Sequence, residues 1–172
     1  MELDPNIYGP AARGLLLRAG YPLRRMPLVI GDCSAPDVRA QLKNKKASDI
    51  FPDAVHPEAA LSGLYLYIGC FEESHSIAQG IKDADGSYWH AILHRQEPDA
   101  FNAGYWFNRV SRHPVFSALA EQTETLGYAT QGEWDPLAFI RYAEEAANRA
   151  IAVEVQHAEW QLLFHYCAQP KL

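Results

Sequence analysis

The sequence predicts an all-α single domain of stacked antiparallel helical hairpins, preceded by an irregular, proline-rich N-terminal arm. Three observations lead to this prediction. Apolar residues recur at helical spacing from Pro57 onward. The breaks between the helical segments are short, which forces neighbouring helices to run antiparallel. Six prolines fall within the first 52 residues, so only short elements fit there.

The N-terminal arm, residues 1–55, carries three predicted elements. Residues 11–20 fit a helix that ends at Gly20, and "PLVIGD" at 27–32 fits a short strand or an extended segment. Residues 34–43 fit a second helix, with Ser34 as its N-cap and Pro36 in its first turn. We assign the arm and the helical body, residues 56–172, to the same domain.

The body contains seven predicted helices. Apolar positions at i, i+3, i+4 and i+7 define the first, "DADG" at 83–86 predicts a turn, and "EPD" at 97–99 predicts a break. Asp135 before Pro136 predicts a helix start. The predicted helices span residues 57–69, 71–81, 87–96, 100–110, 113–127, 136–149 and 151–169.

Two segments of the body are alike. "YIGCFEESHSIA" and "HRQEPDAFNAGYWF" each contain a helix end, a tight turn, an aromatic residue and then a small residue. This arrangement resembles the turn of a tetratricopeptide-type helical hairpin, at a separation near its usual repeat length. Two copies predict stacked hairpins and are too few to predict a solenoid.

Composition limits the class and the compartment. Apolar residues make up 48% and charged residues 21%, as in an ordinary globular chain. The first residues lack the pattern of a secretory signal, and no apolar run reaches the roughly 18 residues of a membrane span. The three cysteines are widely spaced without a CxxC pair, which argues against a disulfide framework or zinc ribbon. We therefore expect a reducing, cytoplasmic location.

The net charge of −6 is unevenly distributed. Residues 1–46 hold eight basic and four acidic side chains, so the front of the chain is positive and the remainder is strongly negative. The basic stretches "RR" and "KNKK" lack interleaved aromatic residues. This pattern favours a solvated surface that lies against the acidic body over a nucleic-acid interface.

One long motif carries a family resemblance. The segment "GSYWHAILHR-EPD--NA-YWF-RV--HPVF", with "SH-IAQ" at 74–79 and "EW-LLF-YC" at 159–167, resembles a bacterial and fungal family of small uncharacterised proteins. The resemblance covers residues 57–168. Gly104 stands where the family has a larger, often basic residue, and Asn108 where it has arginine. The resemblance implies one coherent domain and, because the family has no assigned activity, no function.

Histidines in the motif suggest a metal site. His90 and His94 are four residues apart, so both rings lie on one helix face, and Glu97 follows in the same direction. Two imidazoles and a carboxylate suit a divalent transition metal, which is the candidate cofactor. Two Glu-x-x-His pairs, at 72–75 and 154–157, resemble di-iron motifs, although the hairpins are too short for that bundle. The alternative is that the histidines make interhelical polar contacts.

The helix at 100–110 suggests an anion site. Asn102, Tyr105, Trp106 and Arg109 fall at i, i+3, i+4 and i+7, and His113 follows. An arginine beside an amide and aromatic rings can hold a carboxylate or phosphate and stack a flat group. The alternative is a central helix whose arginine pairs with a neighbouring acid.

Known catalytic motifs are absent from the sequence. There is no G-x-S-x-G, P-loop, G-x-G-x-x-G or H-E-x-x-H. Cys70 precedes a predicted helix, where the helix dipole lowers a thiol pKa, although a small buried residue is the competing interpretation. If the protein is an enzyme, general acid–base catalysis by His90 or His94 with Glu97 or Asp99 is the mechanism that fits best.

Three hypotheses follow. The first is a cytoplasmic binding or interaction module with a pocket for a small anionic ligand, in which Arg95 and Arg109 anchor the anion and aromatic rings form the walls. The second is a metal-dependent enzyme that holds a cation through His90, His94 and Glu97. The third is a protein–protein interaction domain without a small-molecule site. The predicted ligand-binding residues are His75, Trp89, His90, His94, Arg95, Asn102, Tyr105, Trp106, Arg109 and His113.

Overall fold

The computed structural model describes residues 2–171, which form ten α-helices and two short 3-10 turns. The helices are α1 (Gly9–Arg18), α2 (Pro36–Leu42), α3 (Ala47–Ile50), α4 (Pro57–Tyr67), α5 (Phe71–Gly80), α6 (Ala84–Gln96), α7 (Ala100–Val110), α8 (Val115–Thr125), α9 (Pro136–Glu144) and α10 (Arg149–Ala168). The 3-10 turns span Pro5–Tyr8 and Ala146–Asn148. No strand occurs in this part of the chain, where one isolated bridge pairs Ala54 with Pro170. The all-α prediction is confirmed.

Capping side chains place several helix ends. The carboxylate of Asp99 accepts from the backbone N–H of Asn102 and starts α7, as the break at 97–99 predicts. The carboxylate of Asp135 accepts from two backbone N–H groups and starts α9 beside Pro136. The predicted turn at 83–86 is wrong, because the Asp83 carboxylate caps α6 and the helix begins at Ala84.

Two other boundaries differ from the prediction. Ser34 is not the N-cap of α2, because its hydroxyl donates to the carbonyl oxygen of Ile68 at 2.8 Å. The helix predicted over 136–149 ends at Glu144, and the Asn148 side chain donates to the Tyr142 carbonyl oxygen in the 3-10 turn that follows. Both side chains make tertiary or turn contacts that periodicity does not report.

Three helices form the centre of the molecule. In α4, α6 and α10, the consecutive residues 59–67, 85–93 and 155–164 are all buried. A helix that is buried around its whole circumference must be covered by protein on every side. The other helices therefore surround these three, and α5 and α7 both pack against α6. No helix in residues 2–171 is both long and apolar enough to cross a membrane.

The N-terminal arm packs against the helical body. Its apolar residues, from Leu3 to Ala54, belong to the same buried cluster as those of the body. The backbone N–H of Ile30 donates to the carbonyl oxygen of Gln96 at 2.8 Å, and that of Ser34 donates to Ile68 at 2.8 Å. The arm therefore contributes apolar side chains to the core and is part of the folded domain.

A disulfide bond joins Cys33 of the arm to Cys70, the residue before α5. The expectation of unpaired cysteines is therefore wrong for these two residues. Their 37-residue separation gives no local sequence signal, because only the folded arm brings the two residues together. Cys167 is free and buried.

The basic front of the chain does lie against the acidic body at two places. Arg25 pairs with Glu154 of α10 at 2.9 Å, and Arg39 of α2 pairs with Glu73 of α5. A third front residue, Arg18, pairs within the front itself, with Asp37. All three pairs are at least partly exposed to solvent, which screens their charges, so they add little to stability.

Candidate functional site

Three histidines meet where α5 packs against α6. His75 comes from α5, and His90 and His94 lie one turn apart on α6. The Nε2 atoms of His75 and His90 are 2.8 Å apart, and one ring nitrogen from each of the three residues lies within 4.8 Å of the others. The sequence predicts the pair on α6, while His75 joins it through tertiary packing.

The arrangement of the rings defines what the cluster can bind. His75 stands nearly perpendicular to both other rings, at 81° to His90 and 89° to His94. The His90 and His94 rings are nearly parallel, at 14°, with centroids 4.9 Å apart. A bound ion lies in the plane of every imidazole that holds it, so His94 must turn about its side-chain bonds to share an ion with His90.

Burial keeps the central histidine neutral. Only 2% of His90 is exposed, and its Nδ1 is buried without a hydrogen-bond partner among the described residues. Burial, with the nearby charges of His75 and His94, lowers the pKa of His90 to about 4. At neutral pH the His90 ring is therefore uncharged, which is the form that binds metals.

Glu97 holds the outer side of the cluster. Its Oε2 lies 3.0 Å from Nδ1 of His94, three residues earlier in the chain. The sequence predicts Glu97 as a direct metal ligand together with His90 and His94. In the structure Glu97 instead contacts Nδ1 of His94. If His94 bound an ion through Nε2, Nδ1 would point away from that ion. Carboxylates commonly accept a hydrogen bond from this second nitrogen of a metal-bound histidine.

Asp99 lies beside this pair but has another role. One ring nitrogen of His94 and one oxygen each from Glu97 and Asp99 also lie within 4.8 Å of one another. The Asp99 carboxylate accepts from the backbone and side chain of Asn102, and these hydrogen bonds lower its pKa. Asn102 is therefore a hydrogen-bonding partner of Asp99 at the start of α7.

Aromatic rings form the walls of the cluster. The Trp106 ring lies against His90, with centroids 4.0 Å apart and an angle of 14°. Phe71 stacks on His75 at 5.6 Å. Further along α7, the guanidinium carbon of Arg109 lies 5.4 Å from the Trp106 ring centre and 6.0 Å from that of Tyr105. The predicted stripe on α7 thus meets the predicted histidine pair on α6.

Arg95 does not join the histidine cluster, because it points toward α10. Its Nη2 lies 2.5 Å from Oε2 of Glu159 in α10, and both side chains are buried. The hydroxyl of Tyr88 donates to the other carboxylate oxygen of Glu159 at 3.0 Å, and the guanidinium lies over the Phe139 ring. The prediction that Arg95 joins Arg109 is corrected, because α6 turns Arg95 toward α10 and Arg109 is on the surface of α7.

Trp89 and His113 also lie away from the histidine cluster. Trp89 is fully buried, and its ring packs so closely on Gly63 of α4 that a Cβ added there would lie 2.6 Å from Cζ2. His113 is buried and its Nε2 lies 2.9 Å from Oδ1 of Asp85. Of the ten predicted ligand residues, those that gather in one place are His75, His90, His94, Tyr105, Trp106 and Arg109.

Asp85 is the centre of a second polar cluster that the sequence analysis missed. Its Oδ1 faces Nε2 of His113, and its Oδ2 lies 3.4 Å from Nδ1 of His56. Asp83 lies close enough to complete a group with metal-ligand spacing together with Asp85 and His56. Asp85 already has two histidine partners and Asp83 caps α6, so this cluster is satisfied by its own members.

A large cleft lies elsewhere. It has a volume of about 840 Å³ and is located between the end of α7, the start of α8 and the loop before α9. His113 is its one member from the predicted ligand set. A cavity of about 250 Å³ near α9 includes Arg95. The cavity beside Arg95 includes neither Arg109 nor any of the predicted histidines.

Comparison of the chain with protein-family models, curated proteins and solved structures finds no match. The resemblance to a bacterial and fungal family of small uncharacterised proteins stays a prediction.

Proposed function

We propose that this protein binds one divalent transition metal ion through His75, His90 and His94. The observation that carries the proposal is the convergence of three ring nitrogens from two helices within 4.8 Å of one another. Three imidazoles this close would repel one another when charged, so the arrangement favours neutral rings. Neutral imidazole nitrogen is a preferred ligand of zinc, copper, nickel and iron.

The contact between His75 and His90 favours a shared ion. Their Nε2 atoms are 2.8 Å apart, and two imidazole nitrogens bound to one tetrahedral zinc ion lie about 3.3 Å apart. A small outward shift of either ring would therefore admit the ion in place of the shared proton. Glu97 would orient His94 through Nδ1 and so act as a positioning residue.

Three protein ligands leave one coordination position open. Structural zinc sites usually have four protein ligands, while sites that bind water or substrate keep an open position. In the proposed centre Glu97 and Asp99 are occupied by His94 and Asn102. The site therefore fits a metal that accepts an external ligand, which favours the metal-dependent hypothesis over the anion pocket built on Arg95.

The test is the metal content of protein purified without a histidine tag. We expect about one transition metal ion per chain, and a loss of at least tenfold in zinc affinity for His75→Ala and for His94→Ala. His165→Gln is the matched control, because this histidine lies on α10 and contacts Tyr8 instead of the cluster. Removing the metal with a chelator should lower Tm in wild type and in the control, and leave the two cluster variants unchanged.

Two results would contradict the proposal. One is protein that neither contains nor takes up zinc, copper, nickel or iron. The other is equal affinity in wild type and in His94→Ala, which would place the ion outside the cluster. His94 is more exposed than His90, so its replacement tests the site with less risk to the core.

We also propose that α4 to α7 form stacked antiparallel hairpins of the tetratricopeptide type. The support is that each of these helices packs against the next and that three residues separate each pair. In this arrangement the metal centre would lie on the surface shared by two successive hairpins, with His75 from one and Trp106 from the other.

A further inference from the structure

We propose that the metal centre binds an oxyanion, the carboxylate or phosphate group of a small ligand, with Arg109 as the second anchor. This inference rests on the proposed function, because it requires the ion held by His75, His90 and His94. It adds the chemical class of the external ligand and the residue that selects it.

The charge of the proposed centre favours an anion. Three neutral imidazoles leave the full charge of a divalent ion uncompensated by its direct ligands, and the partly buried site strengthens the attraction of that charge for an anion. Glu97 lies beyond His94 and is half exposed, so solvent screens its opposing charge. An anionic ligand at the open position would neutralise the ion directly.

Arg109 has its hydrogen-bonding groups available. It is exposed, and among residues 2–171 it forms no salt bridge, while Arg25, Arg39 and Arg95 each pair with a glutamate. Its guanidinium lies over the rings of Trp106 and Tyr105. Stacking on a ring leaves the in-plane N–H donors free, and their planar fork matches a carboxylate or phosphate.

Trp106 links the two anchors. Its ring centre lies 4.0 Å from that of His90 and 5.4 Å from the guanidinium carbon of Arg109. Both anchors are thus in contact with one indole ring. An exposed arginine side chain is flexible enough to turn toward a ligand held on the ion, and the indole would form one wall beside that ligand.

The experiment uses the full chain loaded with Co²⁺, whose visible absorption responds to a change in the ligands of the ion. Sodium phosphate and sodium acetate are titrated separately at pH 7 and constant ionic strength. We expect a saturable spectral change with at least one anion. Arg109→Ala should raise its Kd by about tenfold or more, because a charge-assisted bidentate contact is lost, and should leave Co²⁺ affinity unchanged.

Arg112→Ala is the matched control. Arg112 is also exposed, lies three residues further on, and lines the separate cleft beside α8, so its loss should not change the Kd. Arg109→Lys should retain part of the affinity, since it keeps the charge without the fork. A response to phosphate alone or to acetate alone would support the inference and identify the group.

Failure of this inference is distinguishable from failure of the proposed function. If Co²⁺ binds and neither anion changes the spectrum, or if Arg109→Ala and wild type titrate alike, the oxyanion inference is wrong and the metal site stands. If Co²⁺ does not bind to the wild-type protein, the metal site itself is wrong.

Discussion

At the residue scale, the seven histidines differ in what each ring touches. His75, His90 and His94 touch one another, while His56 and His113 share the carboxylate of Asp85. His165 meets the hydroxyl of Tyr8, and His157 lies among aromatic rings of the core. The spacing of His90 and His94 predicts that these two rings lie together, whereas the contact of His75 with His90 depends on tertiary packing.

His157 shows how burial alone perturbs a histidine. Its ring stacks on Trp160 and tilts against Tyr67, and 4% of the residue is exposed. Burial, reinforced by the positive charge of Arg25 and opposed by Glu154, lowers the pKa of His157 from 6.5 to about 4. The contribution of neutral His157 to the free energy of unfolding is therefore fully present above pH 6.5. It is lost as the pH falls from 6.5 toward 4, because in this range the unfolded chain takes up a proton on His157 and the folded chain does not.

We predict that His157→Gln removes this part of the acid sensitivity. Between pH 7 and pH 4.5 the metal-free wild-type protein should lose about 2–3 kcal/mol more of its free energy of unfolding than the variant. Urea unfolding at the two pH values measures the difference, and the other titrating groups cancel in the comparison. Equal losses in the two proteins would show that His157 titrates normally in the folded state.

At the scale of elements, α4 and α6 approach each other closely at Gly63. Gly63 of α4 faces the fully buried ring of Trp89, and the indole N–H of Trp160 in α10 donates to the Gly63 carbonyl oxygen at 2.8 Å. All three central helices thus meet at one glycine. The lack of a side chain at Gly63 allows α6, and the histidines it carries, to lie this close to α4.

We predict that Gly63→Ala destabilises the fold by about 1–3 kcal/mol, because a new Cβ would lie 2.6 Å from an indole ring that has no room to move. Gly14→Ala is the matched control in α1, where nothing lies within 4 Å of the added Cβ. The control should be stabilised by about 0.5–1 kcal/mol through helix propensity. Denaturant unfolding of both variants measures the effect, and stabilisation by both substitutions would contradict the close packing.

At the scale of the whole molecule, the arm and the body are linked both covalently and through the core. The Cys33–Cys70 disulfide closes a long loop that contains α2, α3 and α4. It joins the arm to the start of α5, the helix that carries His75. The covalent link between arm and body is therefore close in sequence to His75, one of the proposed metal ligands.

We predict that a thiol assay of denatured, unreduced protein detects one thiol per chain, Cys167, and that reduction raises the count to all three cysteines. The double variant Cys33→Ser/Cys70→Ser should lose about 2–4 kcal/mol of stability relative to the oxidised protein. Reduced wild type is the matched comparison and should unfold like the variant. Three thiols before reduction would show that the two cysteines are unpaired.

Much of the fold follows from local sequence features. Apolar periodicity, the break at 97–99 and Asp135 before Pro136 predict the class and most helix boundaries, because helix formation depends on contacts within a few residues. The same local logic places His90 and His94 on one face and aligns Trp106 with Arg109. Ser34 and Asn148 are exceptions, because each bonds outside the helix that its position suggests.

Only the tertiary structure decided which of these residues meet. It brought His75 to His90, turned Arg95 away to Glu159, and joined Cys33 to Cys70. Each of these pairs depends on how whole helices or the arm pack, and packing is determined by complementary shapes and burial that one-dimensional spacing does not contain. The sequence by itself determined the helices and the candidate side chains, and packing selected the three that form the proposed metal centre.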